Sequence, residues 1–241
     1  LLKTTLEKAE QKSVAVIQVG LATNLAELIG SEEGKQLVSQ KVDHLSVMAG
    51  AFQTIGDNNR YLEANVRNHV PSMQKLADEW PNDVPIIWSG FAIGIAAPFP
   101  RESIANHFDY LVNHLVKEAY LAHSRPDHDR PTWDLTSVLY SLFLHRGYFD
   151  LSPPGRVSVS DKGFTFFQPA QGSSMRQKNT TKLNIAKKRD RYLLMSPTQA
   201  ARVQEALLHF VAQPPAIDKA AKTKPVKLIF DTDMGNDVDD A

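Results

Sequence analysis

The last sixteen residues of the chain join a short apolar run to a dense group of carboxylates. Residues 226–230 read VKLIF, which predicts a buried strand. The next stretch, DTDMGNDVDDA, holds five aspartates within ten residues, and these repel one another unless a cation lies among them. Ligands of open α/β sheets bind at the carboxyl ends of strands, so the pattern predicts a cation or ligand site there. The aspartates are Asp231, Asp233, Asp237, Asp239 and Asp240.

Two common kinds of aspartate loop fit this stretch poorly. An EF-hand loop follows a helix and has glycine at its sixth position, whereas Gly235 is fifth here and follows a strand. Phosphatases of the haloacid dehalogenase type begin with a strand and Asp-x-Asp, which would make Asp231 a nucleophile. That alternative gives no role to the later pair Asp239 and Asp240.

The rest of the chain alternates between strand and helix patterns, which predicts parallel βαβ units. We expect an α/β fold with a mainly parallel, Rossmann-like sheet flanked by helices. A small β-hairpin is predicted at 155–168, around Asp161-Lys162-Gly163. The predicted strands are 13–20, 41–52, 84–90 and 226–230. The predicted helical segments are 2–12, 21–30, 69–81, 102–123 (one or two helices), 131–145 and 198–212.

Composition limits the classes of partner. The 241 residues carry 27 basic and 27 acidic side chains, and this zero net charge gives no reason to expect nucleic acid or an anionic membrane as a partner. Cysteine is absent, which excludes thiolate metal sites and a cysteine nucleophile. No apolar run is long enough for a transmembrane helix. The basic stretch 176–191 predicts a solvated surface loop, with phosphate binding as the alternative.

Four further segments, together with the aspartate loop, resemble the nucleoside hydrolases, the calcium-dependent N-ribohydrolases of the inosine/uridine-preferring type. The corresponding motifs of that family are a strand ending in Gly-x-x-Thr-Asn-x-Ala, a Met-Gly-Gly segment, Glu-x-Asn and a later Pro-x-His-Asp. Trp133 stands where the family usually has histidine. In this respect the chain resembles a bacterial subgroup of that family. The matching segments are VIQVGLATNLAEL (16–28), LSVMAGAF (45–52), EANV (63–66) and PTWDLTSVLY (131–140).

The order of the motifs differs from the family pattern, which begins with the aspartate loop. We expect residues 1–213 to form the main body of one domain, 214–225 a linker, and 226–241 the displaced opening strand and aspartate motif. A circular permutation, a tandem fusion and a rearranged or incomplete chain would each produce this order. Chain ends in one fold often lie close together, so the site could survive rearrangement.

The resemblance implies hydrolysis of a ribonucleoside to ribose and free base by a Ca²⁺-activated water. Asp233, Asp240, Asp134 and the backbone carbonyl of Thr23 would bind the ion, with Asp233 also the base. The expected ribose contacts are Asp239, Glu63, Asn65 and Met48, with Asn58 or Asn59 as a further candidate. Asp231 and Asp237 would orient the metal ligands.

Trp133 leaves protonation of the departing base open, because an indole N–H is not an acid. It could stack on the nucleobase instead, and His128 is a nearby candidate acid. A non-catalytic protein that binds calcium and ribose is therefore the main alternative to an enzyme. We expect a small-molecule ribonucleoside partner, a possible homo-oligomer, and either a cytoplasmic or a periplasmic location.

Overall fold

The computed structural model describes residues 1–123, 128–170, 188–213 and 227–231. The strands are β1 (Val14–Gln18), β2 (Val42–Met48), β3 (Ile86–Ser89), β4 (Asp150–Leu151), β5 (Gly155–Val159), β6 (Thr165–Pro169), β7 (Asp190–Leu194) and β8 (Lys227–Asp231). The helices are α1 (Leu2–Glu7), α2 (Thr23–Leu28), α3 (Glu32–Lys41), α4 (Ala64–Asn68), α5 (Val70–Glu79), α6 (Phe91–Ala96), α7 (Arg101–Asn106), α8 (Leu115–His123), α9 (Trp133–Leu142) and α10 (Pro197–Val211).

The sheet has the order β6-β5-β7-β3-β2-β1-β8, and β4 pairs with β7. Pairing is parallel from β7 through β3, β2 and β1 to β8. It is antiparallel for β5 with β6 and for β4 with β7. The α/β class, the mainly parallel sheet and the small hairpin are therefore confirmed.

Both faces of strand β1, which lies between β2 and β8, are buried against other elements. Val14 and Val16 belong to the larger core cluster, while Ile17 and Val19 point to the other face and pack near Met48. Alternation of side chains along a strand accounts for this division. Among the described residues, no helix is both long and apolar enough to cross a membrane.

The last strand, β8, joins the sheet beside β1. Its register pairs Val14 with Lys227 and Gln18 with Asp231, so both strands run toward the same edge. Residues 226–230 were predicted as a strand and the structure forms it at 227–231, next to the main body of the domain. The linker 214–225 lies outside the described residues.

The prediction of a solvated loop over 176–191 is wrong at its end. Arg189 and Asp190 are fully enclosed, and β7 begins at Asp190 and pairs with β3. Positions 171–187 lie outside the described residues. The charges of Arg189 and Asp190 neutralise each other, which explains how two charged residues enter the core.

Candidate functional site

A cavity of about 270 Å³ opens at the carboxyl ends of the central parallel strands. Val19 directly follows β1, Met48 ends β2 and Phe91 begins the helix after β3. This is the sheet edge at which α/β proteins bind ligands. The lining residues are Val19, Met48, Tyr61, Glu63, Ala64, Asn65, Asn68, Phe91, Trp133 and Asp134.

Glu63 is a buried carboxylate that organises one wall of the cavity. As the N-cap of α4, it accepts hydrogen bonds from the backbone N–H groups of Asn65 and Val66, at 2.7 and 3.2 Å. It also accepts one from Gly50 N–H at 3.0 Å, which ties α4 to the loop after β2. Burial raises the pKa of Glu63 to about 6, against the lowering effect of these backbone donors.

Asn65 connects the ends of two neighbouring strands. Its Nδ2 lies 3.2 Å from the carbonyl oxygen of Val19 and 3.0 Å from that of Met48. The same nitrogen lies 3.2 Å from the sulfur of Met48. The amide nitrogen of Asn65 is thus used to hold the cavity floor together, while its side-chain oxygen keeps its capacity as an acceptor.

Asp134 and Trp133 reach the cavity from the first turn of α9. Asp134 is only 2% exposed, and its helix-terminal position favours a negative charge. Thr132, just before the helix, donates from its hydroxyl to Ala97 O at 2.7 Å and fixes the entry into α9. The structure therefore holds a carboxylate in a buried position against the cavity.

Three aromatic rings form one side of the cavity. The rings of Tyr61 and Phe91 stack at 4.2 Å, and those of Phe91 and Trp133 lie 5.0 Å apart. The indole N–H of Trp133 donates to the carbonyl oxygen of Phe91 at 3.1 Å. The Trp133 ring is therefore fixed by its own hydrogen bond and presents an apolar surface.

No protein-family model matches the sequence, and no curated protein matches it. The fold matches a purine-preferring ribonucleoside hydrolase from Gardnerella vaginalis (TM-score 0.62, 14% identity, 88% of this chain and 65% of that one). It also matches an inosine-guanosine nucleoside hydrolase (0.62, 14%, 86% and 65%) and a plant nucleoside hydrolase (0.61, 16%, 86% and 65%).

The chain has the nucleoside hydrolase fold. It spans about 65% of the length of each of these structures. At 14–16% identity the match establishes the fold alone. The reaction must be argued from the residues of this chain.

Within that nucleoside hydrolase fold, Asp231, the first of the predicted aspartates, is the last residue of β8. Asp231 is paired in register with Gln18, so the chain leaves β8 at the carboxyl edge of the sheet. This is the edge that carries the cavity. The remaining predicted positions, Asp233, Asp237, Asp239 and Asp240, lie outside the described residues.

The described residues fit a hard metal ion only in part. Over 1–123, 128–170, 188–213 and 227–231, no three histidine, cysteine or acidic residues form a group that could hold a metal ion. Beside the cavity this part offers the buried carboxylates of Asp134 and Glu63, together with backbone carbonyl oxygens such as those of Val19 and Met48. Oxygen donors without thiolates suit Ca²⁺, so the donor chemistry agrees with the resemblance.

Four further predicted residues, Thr23, Asn58, Asn59 and His128, lie away from the cavity lining. Thr23 is the first residue of α2, in the segment that follows β1. Asn59 lines a separate cavity of about 310 Å³ beside the β5–β6 hairpin, which shares Tyr61 with the first. His128 precedes Asp129, whose carboxylate pairs with Arg101 at 3.1 Å. The expected acid or ribose roles of these side chains remain predictions.

Tyr61 and Phe91 are cavity residues that the sequence analysis did not single out. Phe91 follows the glycine that ends the segment VPIIWSG, and Tyr61 lies two residues before Glu63. Their nearness to recognised motifs was the available signal. Aromatic residues pack in most cores, so that signal alone does not separate a wall of the site from ordinary packing.

Gly94 permits the close contact between α6 and α9. A Cβ placed there would lie 2.3 Å from Cδ1 of Trp133 and 2.7 Å from its Cα. We predict that Gly94→Ala displaces the first turn of α9 and destabilises the fold by about 1–3 kcal/mol through overpacking. Urea unfolding measures the stability and near-ultraviolet circular dichroism follows Trp133. Ala96→Ser, at an exposed position of α6, is the control, and equal unfolding curves for both variants would contradict the prediction.

Proposed function

We propose that the chain hydrolyses the N-glycosidic bond of ribonucleosides with the help of Ca²⁺. The observation that carries this proposal is the meeting of five expected residues at one cavity. They come from β2, from the start of α4 and from the start of α9, which are distant in sequence. These residues are Met48, Glu63, Asn65, Trp133 and Asp134.

The metal ligands in this proposal are Asp134, the carbonyl oxygen of Thr23, and Asp233 and Asp240 of the aspartate loop. A Ca²⁺ ion bound there would lower the pKa of a water and orient it toward the anomeric carbon. Asp233 would accept the proton of that water. The location of Asp134 at the carboxyl edge, where β8 also ends, supports this ligand set.

The ribose would lie on the floor formed by Met48 and contact Asp239, Glu63 and Asn65. Glu63 already accepts three backbone hydrogen bonds, one on Oε1 and two on Oε2. The backbone N–H of Ala64 also acts on this carboxylate, so a sugar hydroxyl would share Glu63 with four backbone donors. Glycosidases gain transition-state stabilisation from hydrogen bonds of this kind.

The leaving group is expected to be one that departs with little acid help. The N–H of Trp133 is directed to Phe91 O, so the indole contributes only its ring. Together with Phe91 and Tyr61, that ring provides an apolar surface for a nucleobase, and base–aromatic stacking contributes roughly 1–3 kcal/mol. His128 remains the proposed acid, although it is not among the described residues that line the cavity.

Turnover of a nucleoside panel and of p-nitrophenyl riboside, with Ca²⁺ and with a chelator, tests the proposal. We expect release of free ribose that depends on Ca²⁺, with the riboside cleaved faster than the nucleosides because nitrophenolate needs no proton. Release of phosphate from phosphate esters, with a covalent adduct at Asp231, would instead support the phosphatase alternative.

The second candidate function is non-catalytic binding of calcium and ribose. The observation that favours it is Trp133, because its indole N–H donates to the carbonyl oxygen of Phe91 and is not an acid. Tight Ca²⁺ binding by calorimetry without turnover of any riboside would establish this candidate and reject the enzyme. Absence of both binding and turnover would reject both.

A further inference from the structure

We infer that Ser89 and Thr136 are positioning residues for Asp134. Two successive hydroxyl hydrogen bonds connect Ser89, at the end of β3, through Thr136 to the first turn of α9. The inference rests on the proposed function, since it assigns to Asp134 a position that the reaction requires. Neither Ser89 nor Thr136 lines the cavity itself, so both would act on Asp134 through the backbone of α9.

Ser89 supplies the fixed end of this link. It is the last residue of β3, is 1% exposed and pairs in register with Met48 of β2. Its own carbonyl oxygen accepts from Ala49 N–H at 3.3 Å. Ser89 is therefore held by the sheet at the same edge as the cavity, and it does not move independently of Met48.

The direction of the hydrogen bonds follows from the donors available. Thr136 Oγ1 donates its one proton to the carbonyl oxygen of Trp133 at 2.8 Å. The 3.2 Å contact between Ser89 Oγ and Thr136 Oγ1 must then be donated by Ser89. The chain of hydroxyls therefore ends on the peptide carbonyl that directly precedes Asp134.

A second polar contact supports the same end of α9. Ser46 of β2 donates from its hydroxyl to the carbonyl oxygen of Ser137 at 3.2 Å. Thr136 and Ser137 are both fully buried against the sheet. Apolar packing tolerates sliding, because dispersion is weakly directional, whereas hydrogen bonds to these groups fix the position of the helix along the sheet.

The far end of α9 provides a matched control. Ser141 Oγ lies 3.2 Å from Nε2 of His44 in β2, and Nδ1 of His44 lies 2.8 Å from Asp43. This contact also joins a buried hydroxyl of α9 to the sheet. It is seven residues beyond Asp134, which is roughly 10 Å along a helix. Loss of that bond should weaken the helix contact and leave the first turn in place.

The test compares Thr136→Val with Thr136→Ser and Ser141→Ala by riboside turnover. A displacement of about 1 Å in catalytic geometry can cost about 100-fold in rate, so we expect kcat of Thr136→Val to fall between about tenfold and a hundredfold, with KM little changed. Thr136→Ser keeps the hydroxyl and should restore most of kcat. Ser141→Ala should keep kcat while lowering the thermal midpoint as much as Thr136→Val does.

Ser89→Ala tests whether the two hydroxyls act as one link. Because both single variants break the same chain, the double variant should lose no more kcat than Thr136→Val alone. Multiplying losses, or full activity in Thr136→Val, would overturn the inference.

Crystal structures of the wild-type protein and Thr136→Val separate this inference from the proposed function. If the wild-type protein cleaves no riboside, the proposed function fails, and the structures still report where Asp134 lies. A shift of its carboxylate by about 1 Å supports the positioning role. Superposition of the carboxylate in both structures would reject it.

Discussion

Replacing Asp134 with asparagine is expected to lower kcat for riboside cleavage by about 10²–10³-fold, the loss typical when one preorganised electrostatic group of a site is removed. The new amide side chain would have nearly the same shape as the carboxylate, but it carries no charge and one fewer oxygen. Asp134 is buried against the cavity and is the proposed metal ligand there, whereas the second buried carboxylate of the lining, Glu63, accepts backbone hydrogen bonds. We also expect weaker Ca²⁺ binding, measured by calorimetry without nucleoside.

Asp129→Asn is the matched control for this change. Asp129 lies five residues before Asp134 and is exposed, with its carboxylate paired to Arg101 at 3.1 Å. That pairing lowers the pKa of Asp129 through the backbone and side-chain hydrogen bonds of Arg101. Exposed ion pairs contribute little, so turnover should stay near the wild-type value. Equal turnover by Asp134→Asn and wild-type protein would reject Asp134 as part of the site.

The fold could be predicted because its signals are local. Runs of β-formers such as those in β1, β2 and β3 were followed by helix patterns, and this alternation indicates parallel pairing. The position of β8 beside β1 was harder, because most of the chain separates Gln18 from its partner Asp231. Only the resemblance of the aspartate loop suggested that the end of the chain belongs to the same sheet.

Several residues that line the cavity could be named from the sequence, but the hydrogen bonds that they make in the structure could not. Glu63 and Asn65 were expected to bind ribose, yet their described hydrogen bonds hold Gly50, Val19 and Met48 in place. These bonds depend on how two strand ends and α4 meet in space. A sequence gives no distance between such segments. It therefore does not distinguish a residue that holds strand ends together from one that binds a ligand.

Strand β7 was not predicted, in part because its first residues are charged. Arg189 and Asp190 belong to the basic stretch 176–191, and composition favours a solvated loop for such a sequence. The structure encloses both side chains and satisfies them internally. Arg189 Nε lies 2.6 Å from Asp190 Oδ1, and Asp190 Oδ2 accepts from Val157 N–H at 2.7 Å. The two side chains can be buried because they form an ion pair with each other, and composition does not reveal such a pair.

Arg189→Met is expected to lower the free energy of unfolding by about 3–5 kcal/mol, because it leaves the carboxylate of Asp190 buried without its cation. The guanidinium also donates to the carbonyl oxygens of Ala77, at 2.7 Å, and of Trp80, at the carboxyl end of α5. Burial lowers the pKa of Arg189 and the charge of Asp190 opposes that shift. Urea unfolding monitored by far-ultraviolet circular dichroism measures the change.

Two variants decide whether the effect comes from the unpaired charge. Arg191→Met removes the half-buried arginine two residues away, and surface-like changes of this kind usually stay within about 0.5 kcal/mol. Adding Asp190→Asn to Arg189→Met removes the second charge while keeping an oxygen that can accept from Val157 N–H. The double variant should therefore recover part of the lost stability. A double variant less stable than Arg189→Met would mean that the carboxylate stabilises the fold independently of Arg189, through its bond to Val157.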